Sequence, residues 1–270
     1  MQAFAAIVVL IAALASPTGL ATWAGAFQHG ASVSGLVVLG DGTTVVSGGA
    51  DGHIRLWDIT SGKQNASLSC KTSTGPMSVT SLATFPDSRR LVAGGEDGQV
   101  QVWDWVKQQL ISSLSSSHPS GDVLALTVLP DGHTVFAGDR SGLLRGWDVT
   151  SGLLRFNFTH GYAIFALAPS LDNWTIFAGD EGQFIRGWDL KANEQRKHAA
   201  YQPGGPVRAL AVGLNDWQLF SAGDSAEVHC WSMRSGQDIR WVGVLIHAPP
   251  RVRSLTLLPD GMSLFAGGDQ

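Results

Sequence analysis

Three residue types that cooperate in acyl transfer stand early in the chain. His29, Ser47 and Asp51 could act as general base, nucleophile and orienting carboxylate. None of the local signatures of such chemistry accompanies them. The 270 residues hold no G-x-S-x-G elbow, no H-E-x-x-H pair, no phosphate-cradling P-loop and no EF-hand spacing. Cys70 and Cys230 lie far apart and outside any C-x-x-C spacing, so neither a disulfide framework nor a zinc site is expected, only small buried or half-buried thiols. No cofactor, metal or catalytic residue is expected.

Composition narrows the elements that could position these residues. Only 15% of residues are charged, 44% are hydrophobic and 33 are Gly, which suits a turn-dense β protein and excludes disorder. The net charge is −4 and no Lys/Arg run exceeds two residues, so the basic stripe of a nucleic-acid surface is missing.

A repeat explains where the His, Ser and Asp come from. Five phrases end on a Trp: VVSGGADGHIRLWD, LVAGGEDGQVQVWD, VFAGDRSGLLRGWD, IFAGDEGQFIRGWD and LFSAGDSAEVHCWS. Their tryptophans, Trp57, Trp103, Trp147, Trp188 and Trp231, are 41–46 residues apart. A second anchor keeps nearly the same beat: Leu36, Leu82, Leu126, Leu167, Leu210 and Leu255. Two anchors at one period define a repeat protein. Each unit reads as four short strands, a to d. Strand a is apolar, as in Val123–Val128, and ends in turn chemistry such as Pro130-Asp131-Gly132. Strand b closes on small residues, strand c alternates up to its Trp, and a Ser-Gly turn leads into a more polar strand d. No stretch carries helical periodicity.

Units of this length with Trp-Asp closing strand c (Trp57-Asp58, Trp103-Asp104, Trp147-Asp148, Trp188-Asp189, and Trp231-Ser232 in the fifth) resemble the WD-repeat family of β-propellers. The resemblance implies an all-β fold of about six four-stranded blades over residues 19–270. The repeats are placed at 31–64, 78–108, 121–154, 161–195, 206–238 and, partial, 251–270. It also implies a structural hydrogen-bonded set of His, Ser/Thr, Asp and Trp. The first unit has all four: His29, Ser47, Asp51 and Trp57. The second keeps Asp97 and Trp103 with Ala93 at the hydroxyl position. The third keeps Trp147, with Ala137 and Ser141, and His118 lies nearby. The fourth keeps His160 and Trp188, with a b–c turn read as one residue shorter and Glu181 near the Asp position. The fifth offers Ser221 and Trp231. Period and position thus account for the apparent triad as framework.

The resemblance implies that d–a and b–c loops share one face. Met77, Asp122, Tyr162, Pro206 and Arg251 come from the d–a side, with Glu96, Arg140, Glu181 and Asp224 from the b–c side. This mixed-sign set with a Met and a Tyr suits a protein or peptide partner. Expected function is a non-catalytic interaction scaffold. One alternative is a substrate receptor of a cullin-RING ubiquitin ligase, for which Trp231-Ser232-Met233-Arg234 is an incomplete match lacking its Asp. Another is a propeller enzyme with a central-channel site, which the apolar strand-a starts (Val33, Val79, Val123, Ile164, Val207, Val252) disfavour. Trp174 and Trp217 start strand b and read as filling between blades.

Residues 3–15, AFAAIVVLIAALA, hold no polar side chain. They read either as a signal segment cleaved after Ala15 or as a degenerate strand c. They are too short to span a bilayer securely. In the second reading Leu20 to Phe27 is strand d, and the N-terminal strands complete the sixth blade begun at residue 251. A third reading is a fragment of a larger ring. The family default is cytoplasmic or nuclear, with secretory entry if residues 1–15 are a signal. The sequons at Asn65, Asn157 and Asn173 are compatible with that entry.

Overall fold

Each Trp phrase supplies the second and third strands of an antiparallel sheet. The computed structural model describes residues 7–16, 19–73, 75–114, 121–196, 200–202, 204–214, 218–225, 227–233, 239–247, 251–257 and 264–268. The chain forms two compact units, Met1–Ser115 and Ser116–Gln270.

In the first unit, repeat one is Val33–Val38, Thr44–Gly49, His53–Asp58 and Gln64–Ser69, and repeat two is Val79–Thr84, Arg90–Gly95, Val100–Asp104 and Gln109–Leu114. A hairpin of Ile7–Ser16 with Gly19–Gln28 precedes them. In the second unit, repeat three is Val123–Val128, Thr134–Asp139, Leu143–Asp148 and Leu154–Thr159. Repeat four is Ile164–Pro169, Thr175–Asp180 and Phe184–Asp189, with its outer strand in two pieces, Glu194–Gln195 and Ala200–Tyr201. Repeat five is Val207–Val212, Gln218–Gly223, Glu227–Ser232 and Arg240–His247, and a two-stranded sheet, Val252–Leu257 with Leu264–Gly268, follows. Among the described residues there is no helix, so none is long and apolar enough to cross a membrane.

The two sequence anchors keep one beat because strand pairing locks them together. Leu36 pairs with Ser47, which pairs with Arg55. The same trio recurs as Leu82–Ala93–Gln101, Leu126–Ala137–Arg145, Leu167–Ala178–Arg186 and Leu210–Ser221–His229. A one-residue slip would turn every side chain to the other face, so this register is strongly specified.

Turn chemistry sets the ends of the strands. Asp41 Oδ1 accepts the amides of Thr43 and Thr44 at 2.8 and 2.9 Å, and Asp87 does the same for Arg89 and Arg90 at 2.9 Å each. The Asp of each Trp-Asp pair caps the c–d turn instead. Asp58 accepts from the Ser61 amide at 2.6 Å, and Asp148 from the Ser151 amide at 2.9 Å. The dipeptide therefore joins a core residue to a turn former, which is why the two types travel together.

Strand b is buried on both faces in repeats one, three and four. Its small residues let the next sheet approach: a Cβ on Gly138 or Gly179 would run into Ile164 or Val207, the first residue of the following strand a. Core clusters accordingly span neighbouring sheets. Leu39, Ile54 and Leu56 of repeat one pack with Val79, Leu82 and Trp103 of repeat two. Phe136 and Phe158 of repeat three pack with Ile176 and Trp188 of repeat four, the Phe158 and Trp188 rings lying 4.6 Å apart. Phe27, at the end of the N-terminal hairpin, packs on Trp57 at 5.2 Å, so that hairpin meets repeat one.

One expectation is corrected here. Val79, Val123, Ile164, Val207 and Val252 are buried and face inward, so their apolar character says nothing about the open side of strand a. The residues that follow them, Thr80, Leu124, Phe165, Arg208 and Arg253, take that side by the period-two alternation of a strand.

Candidate functional site

The His, Ser, Asp and Trp of repeat one form a closed chain of hydrogen bonds. Trp57 Nε1–H donates to Ser47 Oγ at 2.8 Å, and the Ser47 hydroxyl lies 2.7 Å from His29 Nδ1. Because Ser47 donates onward, His29 keeps its proton on Nε2 and donates to Asp51 Oδ1 at 3.2 Å. Arg55 closes the set with a 2.7 Å ion pair to Asp51. Burial pushes His29 below its ordinary value of 6.5, with the Arg55 charge acting the same way against Asp51. Burial works to raise Asp51, but hydrogen bonds from Arg55, the His53 amide and His29 outweigh it and hold the carboxyl down. The hydroxyl is tied to an indole and the imidazole side chain is fully enclosed, so no substrate carbonyl could reach Ser47.

Repeat four builds the same chain without a hydroxyl. Trp188 Nε1–H donates directly to His160 Nδ1 at 3.3 Å, and His160 Nε2–H donates to Asp180 Oδ2 at 3.1 Å. Asp180 also pairs with Arg186 and accepts the Phe184 amide at 2.8 Å. The acid at work is thus Asp180, not Glu181, and the b–c turn is not shortened. Asp180 precedes Trp188 by the same interval that separates Gly49 from Trp57. The two positions address the same imidazole: a Cβ placed on Gly49 would overlap His29 Nε2, so an acid takes that position where the His bonds its Trp directly, as His160 does. An acid at either position delivers a carboxylate to the imidazole Nε2. Asp139 of repeat three takes this second position, caps the Ser141 and Leu143 amides at 2.9 Å each and pairs with buried Arg145 at 3.4 Å.

In the other repeats the network thins. Trp231 Nε1–H donates to Ser221 Oγ at 2.7 Å. Trp103 and Trp147, with Ala93 and Ala137 opposite, find no indole partner among the described residues, and His118 lies outside them. Asp97 is exposed and caps the Gln99 amide at 3.1 Å; Cys70 takes the backbone position of the His before repeat two, and Met77 stands beside Gly95 and Asp97 where His29 stands beside Gly49 and Asp51. Both cysteines are free and buried; burial pushes the Cys70 thiol to about 12, which makes it inert. The equivalent position before repeat five is Gln202. The strand-c arginines and the displaced acids escaped the sequence reading. Their signal was an Arg two residues before Trp in three phrases, with an acid at one of two turn positions.

The loop residues divide between buried and exposed. The b–c turns hang from the d–a loops by equivalent amide bonds: Ala50 to Ser32, Glu96 to Ser78, Arg140 to Asp122 and Glu181 to Ala163. In the first unit Glu96 is exposed, whereas Met77 is not on that surface; it is 2% exposed and sits in the core with Val79 and Leu82. In the second unit Arg140, Tyr162, Glu181 and Arg251 are exposed, and Asp122 and Asp224 are partly so. Arg140 pairs with Asp122 at 2.8 Å, and Arg208 forks onto Asp224 at 2.5 and 3.1 Å. Trp174 does not fill the space between sheets; it is 47% exposed beneath the Lys191 ammonium. Trp217 and Arg234 lie outside the described residues. Among the described residues no three His, Cys, Asp or Glu side chains gather to hold a metal.

Four-stranded antiparallel sheets repeated in one register, with Trp103, Trp188 and Trp231 packed against the sheet before their own, give the described residues a β-propeller fold of the WD-repeat kind. Residues 23–58 match the WD domain, G-beta repeat family, and residues 63–159 match the family described as Vps8 beta-propeller. No curated protein matches the chain by sequence. A chain in the crystal structure of a mitotic checkpoint complex superposes with a TM-score of 0.80 at 19% identity, over 92% of this chain and 76% of that one. At that identity the likeness is one of fold.

Proposed function

We propose that this protein is a non-catalytic scaffold for protein–protein interaction, and that the loop end of the second unit docks a partner. The fold is typical of interaction scaffolds and its family is generally non-catalytic. The observation that carries the reading is where the reactive residue types are spent. His29, Ser47, Asp51, His160 and Asp180 are bound into framework networks, whereas the exposed loop residues mix sign and size without converging on a point. Loops on a rigid framework recognise partners by such surfaces. Affinity capture with the full-length chain, against a chain carrying Arg140→Glu, Tyr162→Ala and Glu181→Arg, tests it. The expected result is a set of proteins enriched by the native chain and lost with the variant. No enrichment over the variant, or a turnover that survives it, overturns the proposal.

A further inference from the structure

One position changes character along the second unit. On the open side of strand a, repeats three and four carry Leu124 and Phe165, and the next two strands carry Arg208 and Arg253. Consecutive strands a lie side by side, and the Arg208 guanidinium rests over the Phe165 ring at 4.8 Å, so the row is continuous. Arg208 is held by its fork onto Asp224, with side chains 23% and 29% exposed. Arg251 and Arg253 are exposed, and their charges act on the same carboxylate. Arg251 leads into the last strand a with φ of 60°, a left-handed conformation. Arg208 thus grips Asp224, and Arg253 holds the same place on the adjacent strand a with Arg251 two residues before it, in a chain whose net charge is −4.

A fork already engaged with a carboxylate, beside two further guanidinium groups, is a surface built for carboxylates. We propose that Arg208, Arg251 and Arg253 dock an acidic segment of a protein partner, with Asp224 as the internal carboxylate that the segment competes with. This deepens the interaction reading and rests on it. The aromatic and aliphatic members of the row, Phe165 and Leu124, favour an apolar residue next to the acids.

The test is fluorescence anisotropy with the full chain and a labelled alternating Glu-Gly octapeptide, beside its Gln-Gly counterpart. The Glu probe should bind about tenfold more tightly than the Gln probe, and the difference should shrink as salt rises. Arg251→Ser with Arg253→Ser should weaken it about tenfold with the melting temperature unchanged. Asp224→Asn should tighten it severalfold, because a competitor is removed. Equal binding of both probes, no effect of the double Arg variant, or loss of binding in a folded Asp224→Asn chain each overturns the proposal. Equal or tighter binding of a single-stranded oligothymidine does so too, by showing a general anion surface. If the double Arg variant captures the same proteins as the native chain, the acidic-segment inference fails while the scaffold reading stands. If the probe binds as expected but nothing is captured, the scaffold reading fails and the docking of a protein segment with it, while the arginine surface for carboxylates stands.

Discussion

Ser47 touches two partners whose polar atoms have no other outlet: the Trp57 indole and His29 Nδ1. Ser47→Ala leaves both groups buried and unpaired, at a cost of about 1–3 kcal/mol. Repeats two and three stand in the opposite condition, with Ala93 and Ala137 across from indoles that have no partner among the described residues. Ala93→Ser should therefore stabilise the chain, by about 1 kcal/mol. Urea unfolding of the three chains measures both signs, and a loss of stability in Ala93→Ser would contradict the assignment. The histidines add a pH signature. Burial lowers His29 and His160 in the folded state below 6.5, so the unfolded chain takes up protons first. Stability is full above pH 6.5 and falls as pH drops from there toward the folded values. Asp51 and Asp180 are lowered below 3.8, so their contribution persists above 3.8 and is lost as pH falls beneath it. The urea midpoint should thus decline in two steps on acidification. A midpoint flat between neutrality and about pH 5 contradicts the neutral, buried histidines.

The strand-b end and the turn after it form one exchangeable element. Asp51→Ser removes the acid that His29 and Arg55 share, and Gly49→Asp supplies it from the position that Asp139 and Asp180 use. With Ser47→Ala also present, so that His29 can bond the Trp57 indole directly as His160 bonds Trp188, Gly49→Asp should recover most of the stability that Asp51→Ser loses, read as a coupling in a mutant cycle. Additive losses would show the two positions are not equivalent. At the other end, Ser88 holds φ of 53° where Gly42 and Gly132 hold 67° and 70°. Ser88→Gly relieves a left-handed side-chain conformation and should raise stability by up to about 1 kcal/mol, seen as a higher melting temperature. The strands themselves were legible in the sequence, since Leu, small residue and Trp recur in an order that only one register satisfies. The displaced acid was not, because two sequence positions address one imidazole and counting along the chain separates them. Met77 and Trp174 were misplaced for a related reason. Residue type at a loop or strand start does not tell whether the neighbouring sheet covers it; Met77 is covered and Trp174 is not.

At the scale of the molecule, the described reactive residue types maintain the framework, and the proposed recognition falls to what the framework displays. The a–b and c–d turns are organised by internal Asp caps, leaving their side chains committed to turn amides. The loop end of the second unit instead carries exposed Arg140, Tyr162, Glu181 and Arg251 beside the Arg208–Asp224 fork. Charge reversal at Arg140 and Glu181 should abolish partner capture with little change in melting temperature, because an exposed ion pair such as Arg140–Asp122 contributes at most about 1 kcal/mol. Hydrogen exchange of the native chain, with and without its most enriched captured partner, tests the central claim most directly. Protection is predicted in the turns around Arg140, Tyr162 and Glu181. Protection confined to the opposite turns, around Asp131, Asp148 and Asp172, or none at all, would contradict it.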